Sequence, residues 1–186
     1  AKIVTADDVT EGTLVVRDGK IEDFSTGTSS AATAIDMEGD FVIPGLVELH
    51  TDSLEGHMTP RPSTDWPATA AVIAHDSQIA AAGITTVFDA IAVGALSETS
   101  ARIRRLTEMV EALQTGVDAK LLRVDHFLHL RCEVSFPNLC DLLEPLINYS
   151  LVRLVSVMDH TPGQRQFVRE DKYRGYYHGK FGLTDT

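Results

Sequence analysis

The sequence predicts an α/β fold: about four strand–helix units of a TIM-type (β/α) barrel, preceded by a small β module. Three observations predict it. Four apolar, β-branched stretches alternate with helix-patterned segments across residues 42–186, the order expected of a parallel sheet. Three of these stretches close in ionisable residues at their carboxyl ends, where a barrel of this kind places its chemistry. Residues 1–41 instead carry a hairpin signal and no helical period. A whole barrel needs about 250 residues. The 186 residues here supply about half of one, so the remainder is expected to lie outside this sequence.

In the N-terminal module, Leu14-Val15-Val16 and Lys20-Ile21-Glu22-Asp23-Phe24 flank the turn pair Asp18-Gly19. Ser25 to Thr33 reads as a mobile loop, and Glu38-Gly39-Asp40 as a second turn. Nothing in this module carries chemistry. The first barrel strand runs from Val42 to Asp52, broken early by Pro44-Gly45. Side chains alternate along a strand, so Glu48, His50 and Asp52 share one face and Leu49 and Thr51 the other. An imidazole and a carboxylate two residues apart suit a zinc-class or manganese-class ion; the plain alternative is a strand that ends in polar residues. The connection from Ser53 to Pro67 is stiffened by three prolines and carries His57, Arg61 and Trp66.

Pro67 opens a helix reaching Ala82, with Gly83 as its stop and His75 as a packing histidine. Ile84 to Asp89 is a second buried strand whose polar end is Asp89. A helix from about Glu98 to Thr115 follows, with Ile103, Leu106, Val110 and Leu113 as its apolar stripe, its charges as a solvated face and Gly116 as its stop. The third strand, Leu121 to Val134, places His129, Arg131 and Glu133 on one face. Burying all three without partners costs several kcal/mol, which points to a site, or else to a structural ion-pair network. Asn138 to Tyr149 reads as a helix bent at Pro145. The fourth strand, Leu151 to Met158, ends in Asp159-His160, with Ser156, Met158 and His160 on one face. The tail interleaves Arg165, Arg169, Lys172, Arg174 and Lys180 with Tyr173, Tyr176, Tyr177 and Phe181, a basic patch or a surface helix.

Composition narrows the function. A net charge of −11 argues against nucleic acid as a partner. It also requires any anionic substrate to be held by metal ions and a local basic patch. No run approaches the ~20 apolar residues of a membrane span, and no signal layout is present. Cys132 and Cys140 do not suggest a disulfide scaffold, so a reducing cytoplasm is expected.

The opening β module, Pro44-Gly45-Leu46-x-Glu48-Leu49-His50-x-Asp52, and Gly83-Ile84-Thr85-Thr86-Val87-x-Asp89 resemble the amidohydrolase superfamily of metal-dependent barrel hydrolases. Four longer motifs resemble its PhnM-type family of phosphonate metabolism: His50-Thr51-Asp52-x-Leu54-Glu55; Thr59-Pro60-Arg61-Pro62-x-x-Asp65-Trp66-Pro67; His129-Leu130-Arg131-Cys132-Glu133; and Met158-Asp159-His160-x-Pro162-Gly163-Gln164-Arg165-Gln166-Phe167. The likeness runs over nearly the whole chain but only the N-terminal half of the family's length. Two positions depart from the pattern: Ser53 stands where the family usually has Asn, and Gly56 where it often has Lys, a change that would weaken a contact to substrate phosphates.

The resemblance implies a barrel with an N-terminal β-sandwich module, divided here at residues 1–41 and 42–186. It implies hydrolysis of α-D-ribose 1-methylphosphonate 5-triphosphate to the 5-phosphate and diphosphate, in the carbon–phosphorus lyase pathway. It implies one or two divalent ions of the zinc or manganese class, held by His50, Asp52, Glu133 and His160, and phosphate contacts from Arg61, Arg131, Arg165 and Lys180. The partner is then a small phosphorylated ribose phosphonate, the enzyme a homo-oligomer, and the general base a residue outside this sequence. The alternatives are hydrolysis of a C–N bond, as by a cyclic amide hydrolase or deaminase, and a catalytically incomplete fragment.

Overall fold

The computed structural model describes residues 1–61, 64–95 and 100–181, with the backbone alone for Ala101, Gln166, Lys180 and Phe181. It divides into two compact units, Ala1–Leu46 and Val47–Thr186. In the first, strands β1 (Lys2–Val4), β2 (Val9–Arg17), β3 (Lys20–Thr26) and β4 (Phe41–Val42) form one four-stranded sheet in the order β3-β2-β1-β4. The β2–β3 hairpin turns at Asp18 (φ 51°) and Gly19 (φ 74°), the left-handed pair that the Asp-Gly signal specifies. A sandwich requires a second layer; the described residues of this unit form one sheet.

The second unit is built on a sheet in the order β5-β6-β7-β8, from Leu46–Thr51, Ile84–Val93, Asp125–Glu133 and Val152–Met158. β6, β7 and β8 pair in parallel. The helices are α1 (Ser53–Met58), α2 (Ala68–Ala81), α3 (Ala101–Asp118), α4 (Leu139–Leu143) and α5 (Glu170–Phe181). Period-two alternation gives the sheet two unlike faces. One carries Ile91, Val93, Leu128, Leu130 and Cys132, which pack in one core with Leu106, Met109, Val110 and Leu113 of α3, Leu54 and Met58 of α1, and Ala71 and Val72 of α2. Each fully buried Leu contributes about 1.5–3 kcal/mol. The other face carries Phe88, Ala90 and Ala92 in register with Phe127, His129 and Arg131, and then Leu154, Ser156 and Met158 of β8.

The sequence reading needs correction at several elements. Ser53 to Met58 is helical, because Leu54 and Met58 fall one turn apart and are both buried. β6 continues through Ala90-Ile91-Ala92-Val93, so Asp89 lies inside the strand rather than at its end. α3 runs through Gly116 and ends near Lys120, which takes φ 55° in place of the expected glycine stop. Its expected start at Glu98 lies outside the described residues. α4 stops at Leu143, two residues short of Pro145, instead of bending there. The third strand starts at Asp125, not Leu121. The α3 charges are not all solvated. Arg105, its side chain 13% exposed, donates to the Met58 carbonyl (2.8 Å), Thr59 Oγ1 (2.9 Å), Asp65 Oδ1 (2.7 Å) and the Trp66 carbonyl (3.2 Å). Arg102 reaches Glu55 at 2.8 Å. Cys132 is buried and Cys140 exposed, both as free thiols.

Candidate metal and phosphate site

On the face of the sheet away from α2 and α3, β5 carries His50 as its next-to-last residue, with Asp52 past its end as the N-cap of α1. His50 Nε2 stands 3.7 Å from Asp52 Oδ2, and both side chains are exposed. Arg131 of β7 donates to the other oxygen, Oδ1, at 2.7 Å. The His129 ring meets His50 edge to face, with centroids 5.3 Å apart. Ala90 and Ala92 of β6 lie in register with His129 and Arg131, small neighbours for two large polar side chains. Burial, then the nearby His50 and Arg131, push the His129 imidazole below its ordinary value, against weaker opposite pulls from the Leu49 main chain and Asp52.

Glu133 and His160 form a second pair. Glu133 Oε2 meets His160 Nδ1 in a very short contact. Glu133 Oε1 accepts from Ser135 Oγ (2.7 Å) and the His160 backbone N–H (3.1 Å). Burial works to raise the Glu133 carboxyl, but the Ser135 and His160 hydrogen bonds outweigh it and leave it below its ordinary value. Gly94, at φ 111°, makes room for this pair: a Cβ there would lie 2.9 Å from Glu133 Cβ.

The four expected metal ligands therefore stand as two pairs, His50 with Asp52 and Glu133 with His160. Among the described residues they do not gather as three donors within 4.8 Å. Of the expected phosphate contacts, Arg131 lies at the first pair. Arg165 is bonded to Asp159 at 2.9 Å, Arg61 is exposed beside Thr64, and the Lys180 side chain lies outside the described residues.

The sequence reading assigned no site role to a further cluster on the opposite, helix-covered face. Fully buried His75 and Asp89, with His126 beside them, have the donor types of a metal set, each offering an atom within 4.8 Å of the others. Their geometry is that of hydrogen bonds. His75 Nε2 lies 2.6 Å from Asp89 Oδ1, and His126 Nδ1 lies 2.7 Å from Asp89 Oδ2. Two ligands in a tetrahedral shell with bonds of 2.0–2.2 Å stand about 3.4 Å apart. Protons fill these spaces instead. With its Nε2–H given to Asp89, His75 accepts at Nδ1 from Ser53 Oγ (3.2 Å), which itself accepts from Thr51 Oγ1 (3.0 Å). His126 Nε2 leans on Asp76 Oδ1 (3.4 Å), and that oxygen also takes the Arg123 and Val124 N–H groups. Burial raises the Asp89 carboxyl, but bonds from His126 and His75 bring it below its ordinary value. Burial depresses His126, but Asp89 and Asp76 lift it above. The signal was present in the sequence: one acid inside the apolar run of β6, and a His on the Leu128-Leu130-Cys132 side of β7.

No family model matches the chain, and no solved structure matches it. Over 185 residues, the whole of this chain, it is 45% identical to the alpha-D-ribose 1-methylphosphonate 5-triphosphate diphosphatase of Escherichia coli strain K12, of which it covers 49%. The chain is a relative of this PhnM-type diphosphatase. It spans about half that protein's length. Shorter matches support the amidohydrolase superfamily. The 5'-deoxyadenosine deaminase of Methanosarcina mazei is 49% identical over 47 residues, 25% of this chain and 11% of the deaminase. The L-hydantoinase of Paenarthrobacter aurescens is 38% identical over 56 residues, 29% of this chain and 12% of the hydantoinase. The parallel sheet with helices on one face is consistent with part of that fold.

Proposed function

We propose that this chain is half of a metal-dependent diphosphatase barrel of phosphonate metabolism, cleaving α-D-ribose 1-methylphosphonate 5-triphosphate to the 5-phosphate and diphosphate in the cytoplasm. The observation that supports it is the likeness, over the whole of this chain and about half of its relative, to an enzyme named for that reaction. The residues present fit a cation at His50 and Asp52. Their donor atoms are of the right kinds, and 3.7 Å is a span that two bonds of about 2.0–2.2 Å can bridge. A divalent ion there would supply Lewis-acid charge and lower the pKa of a water. Arg131 both steadies Asp52 and presents a planar fork to phosphoryl oxygens. Glu133 and His160 are the ligand pair for a second ion, whose entry must displace the proton they share. Arg61 and Arg165 are further cations for a triphosphate, with Arg165 first leaving Asp159, and the family likeness adds Lys180 to them. The other four strand–helix units and the general base lie outside this sequence.

The deaminase and hydantoinase matches favour C–N bond hydrolysis as the second reading. Assay of the full-length protein separates them: diphosphate release supports the first, ammonia or carboxylate release the second. His50→Ala is expected to abolish metal-dependent diphosphate release; unchanged turnover with normal metal content would defeat the assignment.

A further inference from the structure

His129 is 6% exposed, and its Nδ1 is buried and makes no well-formed hydrogen bond among the described residues, the Leu49 main chain acting on the ring only weakly. A buried polar atom left without a partner destabilises the fold and calls for an explanation. Its other nitrogen is engaged: Nε2 stands 2.8 Å from Ser156 Oγ on β8. If Nε2–H donates to that hydroxyl, the proton is on Nε2 and Nδ1 carries a lone pair. A ligating histidine has this form, neutral, with its remote N–H held by an orienting partner. The ring stands against His50, whose Nε2 already pairs with Asp52. From this geometry we infer that His129 is a third ligand of the His50–Asp52 cation, with Ser156 as the residue that positions it. The inference rests on the proposed cation at His50 and Asp52. The three donors are not yet gathered within 4.8 Å. His50 is exposed and free to turn its ring inward, so closure around an ion asks for a rotamer change rather than a backbone shift.

Zn2+ affinity, measured by calorimetry on the folded protein, tests this through paired variants. His129→Gln places an amide N–H near the position of Nε2, keeps the Ser156 bond and removes the Nδ1 lone pair. It is expected to lower affinity by more than the ~10–100-fold that loss of an orienting partner costs. Ser156→Ala is expected to cost ~10–100-fold. Unchanged affinity in His129→Gln, with His50→Ala still abolishing binding, would overturn the third ligand alone. Unchanged affinity in His50→Ala would overturn the cation at that pair and this inference with it. Imidazole nitrogen NMR gives a readout independent of folding: a metal-free His129 protonated on Nδ1, donating toward the Leu49 main chain, would also overturn it.

Discussion

At the scale of single residues, the most consequential group is Asp89, a carboxylate inside an apolar strand with an imidazole on each oxygen. Removing one member of a buried charged set leaves the others uncompensated, so Asp89→Ala is expected to cost about 3–5 kcal/mol in denaturant unfolding. The pair also sets a pH window. His126 is raised above 6.5 in the folded protein, so its share of stability is complete below about 6.5 and is lost as pH rises through the raised value. Asp89 is depressed below 3.8, so its share is present above about 3.8 and is lost as pH falls through the depressed value. The melting temperature is therefore expected to peak between these limits, and His126→Asn to flatten the alkaline limb. Alternation along β7 is enough to group His129 with Arg131 and Glu133 on one face, whereas Asp52 stands past the end of β5, as the N-cap of α1, and strand parity does not carry its place beside His50. Division into two pairs was not legible, because it depends on which side chains bond to each other, and sequence parity does not carry that.

At the scale of elements, α3 does more than cover the sheet. Through Arg105 it holds the chain after α1 by four hydrogen bonds, and through Arg102 it reaches Glu55. Arg105→Ala is expected to cost about 1–3 kcal/mol and to speed backbone hydrogen exchange at Thr59 and Trp66. The stripe of α3 was legible because Leu106, Val110 and Leu113 recur at helical spacing. The role of Arg105 was not, because arginine on a helix reads as solvated until its partners, 39–47 residues away in sequence, are placed beside it. Helix α1 escaped notice for a related reason: two buried apolar residues are too few to show a period. Gly116 misled as a stop because its lack of a side chain serves the approach of Leu122 instead.

At the scale of the whole molecule, the alternation of apolar runs with helical patterns was enough to give the class, and the parallel pairing of β6, β7 and β8 agrees with it. β5 and β8 end the four-stranded order, and both carry exposed apolar residues: Val47 and Leu49 on one, Leu154, Val155 and Val157 on the other, with Val157 75% exposed. A closed barrel has no such edges. By itself the 186-residue chain is expected to self-associate as its concentration rises. Val157→Lys should lower the apparent mass in sedimentation while leaving circular dichroism unchanged. The two-faced sheet has one more consequence. The candidate ligands lie on one side and the hydrogen-bonded His75–Asp89–His126 set on the other, joined through Thr51 and Ser53, which flank Asp52. A mutagenesis library confined to positions 50, 52, 129, 131 and 156 leaves that bridge and the buried set intact, so most of its members are expected to fold, which is the thermodynamic condition for a scaffold to be reused.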